Sequence, residues 1–364
     1  MNPTGVGIIG PGSWASVSHI PVIAASPAFE LRAVSTSRRS SAEAASARYG
    51  VPGFDDARDL IARPDVDLVV VAAQVTQHLE VISAALRAGK AVYSEWPLGN
   101  GLAEAEQLAE LARTSGVRTV VGLQGRYAPQ VRLARELIHQ GYLGRVLGTT
   151  MVGSGMVWGG EVASHSQAYW FDDSKGANTL TSATMHALDP FHHVLGELDT
   201  ASANLVVGRR EATVTEDGSR IAVTAPDQVA IIGTLASGAA ASVFYRGGTS
   251  RGDNFRWEIN GTDGDLVLTA AWGNMQVAQL ALSGGRGADT TVAPIEIPAA
   301  YTDDVSADLA PTPAANVARL YDHLARDIAE GTRTVPDFEH ALRRHRFIEA
   351  MRRSSADGTA QSLA

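Results

Sequence analysis

The chain has 364 residues, 45% apolar and 19% charged, the composition of an ordinary globular protein with room for two domains. Thirty basic against thirty-nine acidic side chains give a formal charge of −9, which repels nucleic-acid phosphates and argues against a direct nucleic-acid partner. The absence of cysteine excludes disulfides, thiolate nucleophiles and cysteine-ligated metals.

From Thr4 the pattern alternates strand and helix. A short apolar strand, Val6 to Ile9, enters Gly10-Pro11-Gly12-Ser13-Trp14-Ala15 and a helical stretch. A strand from Phe29 to Val34 leads through a polar turn to a helix from Ser41 to Tyr49. The run Val66 to Ala73 is apolar throughout, as in a strand buried on both faces. A helix from Gln77 to Ala88, a strand from Ala91 to Ser94, a helix from Ala103 to Thr114 and a strand from Val117 to Gly122 follow. Such alternation needs crossover connections, so residues 1–128 are predicted to form a doubly wound parallel sheet of the Rossmann type.

Ligands bind such sheets beyond the carboxyl ends of the strands. The Gly-x-Gly-x-x-Ala turn lies there: Gly10 permits the tight turn, Gly12 lets the backbone approach a pyrophosphate, and Ala15 keeps the helix close to the sheet. At the end of the second strand an NAD site usually carries a carboxylate for the adenine ribose, whereas this chain has Thr36, Ser37 and Arg38. Hydroxyls and a guanidinium suit a 2′-phosphate, so NADP is favoured, with NAD the alternative.

Residues 129–364 change character. An amphipathic helix from Gln130 to Gln140 precedes strands of alternating polarity: Arg145 to Met151, Thr200 to Val207, Ile221 to Thr224, Gln228 to Leu235, Ala239 to Tyr245, Phe255 to Asn260 and Asp265 to Thr269. Gly-rich turns between them predict hairpins, hence an open, largely antiparallel sheet in an α+β domain. One face is expected to be covered by helices and the other free to pair subunits as a homodimer or homotetramer. Terminal helices are predicted at Ala314 to Glu330 and Phe338 to Ser354, and Ser283 to Asp308 reads as a surface excursion. No apolar run approaches the ~20 residues of a membrane helix, and residues 1–12 lack the features of a signal peptide, so a cytoplasmic location without membrane attachment is expected.

Four segments resemble the Gfo/Idh/MocA (glucose-fructose oxidoreductase / inositol dehydrogenase) family of NAD(P)-dependent sugar oxidoreductases. They are Gly7 to Gly12, Gly89 to Leu98 with Glu95-Trp96-Pro97, Val121 to Tyr127 with Gln124-Gly125-Arg126, and His186-Ala187-Leu188-Asp189. The Glu-Trp-Pro-Leu and Leu-Gln-Gly-Arg strings are similar to the branch holding the galactose-regulon repressor of yeasts, a non-catalytic NAD(P)-binding relative. The resemblance implies cofactor contacts from Gly10, Gly12, Ser13, Trp14, Thr36, Ser37, Arg38, Ala73, His78, Glu95, Trp96 and Gln124, and a cis peptide before Pro97. It also implies a substrate site built from Trp96, Arg126, Asp189 and Ser182.

Two departures from the family pattern bear on chemistry. The lysine expected beside the nicotinamide is Trp96, and the first Asp of the later motif is Ser182. Trp96 can stack on a sugar or a nicotinamide but cannot polarise a hydroxyl. His186 then stands as the candidate base, because imidazole titrates near neutral pH, with Tyr127 and Lys175 as further catalytic candidates. Lys175 reads equally well as an exposed loop residue. A helix is predicted from Met185 or Pro190 to Leu195; His186, Asp189, His192 and His193 have helical spacing, but Asp189-Pro190 reads more simply as a helix N-cap followed by proline, so no metal is expected. Two functions fit: an NADP-dependent oxidoreductase acting on a carbohydrate-like small molecule, or a catalytically silent NADP-binding regulator acting through a protein partner.

Overall fold

The structure is a computed structural model, and it describes residues 2–363. In chain order come β1 (Thr4–Ile9), α1 (Ser13–Val17), α2 (His19–Ala25), β2 (Phe29–Ser35), α3 (Arg39–Tyr49), β3 (Gly53–Phe54), α4 (Ala57–Ile61) and β4 (Leu68–Val71). Next are α5 (His78–Arg87), β5 (Ala91–Glu95), α6 (Leu102–Ser115), β6 (Thr119–Gly122), α7 (Pro129–His139), β7 (Val146–Gly155), β8 (Glu161–Val162) and α8 (Met185–Leu195). The chain continues through β9 (Leu198–Val206), β10 (Glu211–Val214), β11 (Arg220–Ala222), β12 (Gln228–Leu235), β13 (Ala240–Gly247), β14 (Phe255–Gly261) and β15 (Gly264–Ala270). It ends with β16 (Ala281–Arg286), β17 (Ala293–Pro294), α9 (Ala315–Glu330), α10 (Phe338–Asp357) and β18 (Gln361–Ser362).

Two compact units result: Met1–Leu123 with Val305–His345, and Gln124–Asp304 with Arg346–Ala364. The segment carrying α9 therefore groups with the first unit, whereas its place in the chain predicted the second. The reason is packing: Leu320, Tyr321 and Leu324 of α9 are buried, Tyr321 lies among Phe29, Tyr93 and His19, and Val121 N–H bonds Pro336 O.

In the first unit a parallel sheet runs β3-β2-β1-β4-β5-β6. All of β4 is buried, as its unbroken apolar run predicts for a central strand. The register aligns Ile9 with Val71, Val71 with Ser94 and Glu95 with Gly122, so Gly10, Ala72 and Trp96 follow directly at one edge of the sheet. The helical stretch after the glycine turn is in two pieces, α1 and α2. It breaks at Ser18, whose hydroxyl donates to Trp14 O at 2.7 Å, and resumes at His19.

In the second unit the main sheet runs β17-β16-β15-β14-β7-β13-β12-β9-β18, antiparallel except where β7 meets β13. Alternation sorts its faces. Trp257, Tyr245, Val243, Ile231 and Met151 are buried on one side, where Phe191 of α8 stacks on Trp257 with ring centroids 5.8 Å apart. On the other side Ile232 is 62% exposed and Val206 41%. A small sheet, β11-β10-β8, closes over Phe171 and Val214. The segment from Ser283 is not all excursion: Ser283 to Arg286 complete β16, whose backbone pairs with Gly264 to Val267 of β15.

The region of Asp189 also differs from expectation. Asn178, not Asp189, is the cap: its side chain accepts from Thr181 N–H at 3.1 Å, and its own N–H donates to Thr181 Oγ1 at 2.9 Å. A π-helical turn, Thr179–Thr184, follows and runs into α8, so His186, Asp189 and Pro190 lie inside the helix. Among the described residues no helix is long and apolar enough to cross a membrane.

Candidate active site

The first unit supplies a glycine turn at the sheet edge. Gly10 has φ +81°, and a Cβ there would lie 2.8 Å from Ala73 N, so no other residue fits without strain. Gly12 is different: a Cβ on it would meet nothing within 4 Å, which leaves open space in front of an exposed backbone. Packing within the chain does not demand a glycine there, and a closely approaching ligand such as a pyrophosphate would. Nearby, Ser13 is exposed and the Nε1 of Trp14 is buried with no partner among the described residues. The residues fit the dinucleotide that the glycine pattern implies.

At the end of β2, Thr36 Oγ1 donates to Arg38 O at 3.0 Å and lies 2.8 Å from Ser41 Oγ. Ser37 and Arg38 are exposed, while Arg39 is engaged by Glu43 at 3.0 Å. The exposed donors in the turn are thus the Ser37 hydroxyl and the Arg38 guanidinium, with no carboxylate in the Thr36–Arg39 stretch.

His78 is buried, with its ring nitrogens 3.1 Å from Ala73 O and 3.2 Å from Leu98 O. Burial pushes its pKa below the ordinary imidazole value. A neutral ring donates its one N–H to one of these two loop carbonyls, so any influence on a ligand runs through Ala73 and the loop after Pro97. The Trp96-Pro97 peptide is cis. The Trp96 ring is 5% exposed and lies against His345, centroids 4.8 Å apart. Burial, then the charge of neighbouring His78, pushes His345 down to about 3. Glu95 accepts from His19 at 3.0 Å and its side chain keeps 13% exposure.

The second unit supplies a cluster around α8. The turn Gln124–Tyr127 sits directly on the helix, since a Cβ on Gly125 would lie 2.9 Å from Pro190 Cγ and 3.2 Å from His186 O. Arg126 grips Asp189 with two hydrogen bonds, Gln124 and Tyr127 are buried, and Gln124 Oε1 has no partner among the described residues. His186 is 7% exposed. Between Thr179 and Pro190 only Ser182 is more than marginally exposed, four residues before His186 and on the same helical face. π turns of this kind recur at functional sites.

Arg126, Asp189, His186, Gln124 and Tyr127 are therefore brought together. Lys175 is not: it is exposed on a separate turn, Asp173–Lys175, which is tied to Arg352 through Asp173. Asp189 and His192 are directed at protein groups, Asp189 at Arg126, and His192 at Gly196 O and Glu197. Among the described residues no group of three His, Asp or Glu side chains is arranged to hold a metal. Sequence reasoning missed His19, Tyr321 and His345. His19 meets Glu95 across 76 residues, and no local pattern marks so distant a contact.

Residues 4–123 match the profile of the oxidoreductase family with the NAD-binding Rossmann fold, and residues 129–270 match that of the Gal80p C-terminal domain. The dehydrogenase aclE of Aspergillus oryzae is 34% identical over 66% of this chain and 68% of its own. The galactose/lactose metabolism regulatory protein GAL80 of Saccharomyces cerevisiae is 28% identical over 80% of this chain and 73% of its own. The structure of a super-repressor mutant of that protein superposes with TM-score 0.89 at 24% identity, covering 99% of this chain and 98% of the other, which bears on fold alone. A levoglucosan dehydrogenase in complex with NADH and L-sorbose gives 0.85 at 22%, covering all of both chains, and likewise bears on fold. With a dehydrogenase at 34% identity over more than two thirds of that relative, and the Rossmann profile over residues 4–123, the chain belongs to the Gfo/Idh/MocA oxidoreductase family, in the branch resembling the yeast galactose-regulon repressor.

Proposed function

We propose that the chain is an NADP-dependent oxidoreductase transferring hydride at a CH–OH/C=O carbon of a sugar or related polyol. The observation that carries the cofactor choice is the turn at Thr36, Ser37 and Arg38, where the exposed Ser37 hydroxyl and Arg38 guanidinium are donors for a 2′-phosphate and no carboxylate stands for a ribose diol. The Gly10 and Gly12 backbone would hold the pyrophosphate, with Trp14, Ala73 and Glu95 as further contacts. Bound NADP supplies the hydride acceptor. His186 takes the hydroxyl proton, Ser182 and Arg126 hydrogen-bond the substrate, and Asp189 fixes Arg126.

A specific observation favours a second reading. Trp96 stands where the family lysine belongs, its ring is buried against His345, and the C-terminal half matches a regulator's domain. On this reading the chain binds NADP and signals through a protein partner without turnover. The two are separated by screening aldoses, ketoses and inositols with NADP and NADPH at the nicotinamide absorbance band. Oxidation or reduction of any of them supports the enzyme, and saturable NADPH binding with no turnover across the panel supports the regulator. In either case the open face bearing Ile232 and Val206 is proposed to pair subunits, which sedimentation of wild type against Ile232→Arg would test.

A further inference from the structure

Within the first unit the Glu95 carboxylate is held from behind by two residues to which the sequence assigns no role. His19, the first residue of α2, is fully buried, with Nε2 3.0 Å from Glu95 Oε1 and Nδ1 2.9 Å from the Tyr321 hydroxyl. Tyr321 lies on α9, 302 residues further along the chain. Its ring stacks on Tyr93 with centroids 5.4 Å apart and meets Phe29 edge-on at 5.1 Å, while His19 meets Tyr93 edge-on at 4.9 Å. Tyr93 and Tyr321, the latter backed by Phe29, thus fix the plane of the imidazole. Gly122 of β6 completes the seat: a Cβ there would lie 2.5 Å from Oε1 and 3.3 Å from Oε2.

Donor and acceptor counting assigns the protons. An ionised carboxylate only accepts, so Nε2 carries the hydrogen directed at Glu95. A neutral imidazole then has a bare Nδ1, and the Tyr321 hydroxyl donates to it. Burial, then the charge of Glu95, raises Tyr321 well above the ordinary phenol range, so it keeps that proton. Oε1 is committed to His19, and Oε2 is the oxygen left for a ligand at the strand end.

We propose that His19 and Tyr321 are positioning residues that orient Glu95 so that Oε2 accepts a ribose hydroxyl of the bound dinucleotide. This rests on the NADP(H) reading above and concerns the same site. The test combines calorimetric titration of the full chain with NADPH and with NADH and 15N NMR of its histidine ring nitrogens. His19→Gln keeps an N–H near the Nε2 position and is expected to bind NADPH within about 3-fold of wild type, whereas His19→Asn, too short to reach Glu95, loses about 10-fold. Tyr321→Phe keeps the ring contacts and removes only the hydroxyl. It is expected to fall between them and to shift the His19 signals away from the pure Nε2–H form. If wild type binds NADPH but the two His19 variants bind alike, or if Nε2 carries no proton, the positioning role is overturned while the cofactor reading stands. If wild type binds neither NADPH nor NADH, the functional reading fails and this inference fails with it.

Discussion

Arg126 and Asp189 form a two-pronged pair, with Nε 2.9 Å from Oδ2 and Nη2 2.5 Å from Oδ1. Asp189 has no exposed surface, so its charge is tolerated because the guanidinium fork satisfies both oxygens. Burial alone would lower the Arg126 pKa, but the charge and hydrogen bonds of Asp189 outweigh it and hold it above the ordinary value. Asp189→Asn strands the cation and is expected to cost about 3 kcal/mol of stability, since breaking a buried pair from one side is more damaging than removing it whole. Urea unfolding checks this, and Asp189→Asn with Arg126→Met should recover part of the loss. A single variant as stable as wild type would show that the pair contributes nothing to folding.

Cofactor choice is tested at Arg38. If its guanidinium meets a 2′-phosphate, Arg38→Ala should weaken NADPH by roughly 10-fold or more, the scale of a charge-assisted hydrogen bond, and leave NADH unchanged. Equal affinities of wild type for the two cofactors would remove the basis for the NADP assignment. Arg39→Ala serves as the control, because Glu43 already engages that side chain.

Acid should loosen the first unit through His345. Its folded-state pKa is pushed down to about 3, below the ~6.5 of an unfolded imidazole, so between these values the unfolded chain binds the proton and the folded one does not. Stability is therefore complete above about pH 6.5 and is lost as pH falls towards 3. His78, also pushed down by burial, acts in the same direction. His345→Leu is expected to flatten the decline of the urea midpoint between pH 7 and 5. A decline as steep as in wild type would assign the acid sensitivity elsewhere.

The parallel sheet and its glycine turn were legible because their causes are local. An unbroken apolar run at Leu68 to Val71 and a strand-turn-helix at Gly10 are written in adjacent residues. The alternating burial of β12 to β14 was legible for the same reason. What escaped depends on contacts across the chain. Tyr321 joins the first unit through partners some 300 residues earlier, which no window over α9 reveals. Of the two starts the sequence offers for α8, Met185 is the observed one; Asp189-Pro190 satisfies the capping rule locally, but the reciprocal Asn178 and Thr181 bonds cap the helical segment eleven residues sooner. The burial of Trp96 against His345 was likewise invisible, since a cis peptide foretells the turn but not which ring it meets.

Catalysis separates the two functional readings. An enzyme lacking the family lysine depends on His186 to take the substrate proton, because Ser182 is too weak a base to replace the missing carboxylate. General base catalysis contributes about 10²–10⁴-fold, so His186→Ala is expected to lower kcat on that scale. NADP affinity should stay nearly unchanged, because none of the glycine-turn or Arg38 contacts is altered. Trp96→Lys restores an ammonium to the strand end and is expected to raise turnover, provided the lysine can replace a ring now packed on His345. The regulator reading predicts no turnover by wild type, His186→Ala or Trp96→Lys, with cofactor binding intact in all three. Turnover that survives His186→Ala within a few-fold would transfer the proton to Tyr127, the other candidate in the α8 cluster, and Tyr127→Phe would then be the variant that stops the reaction.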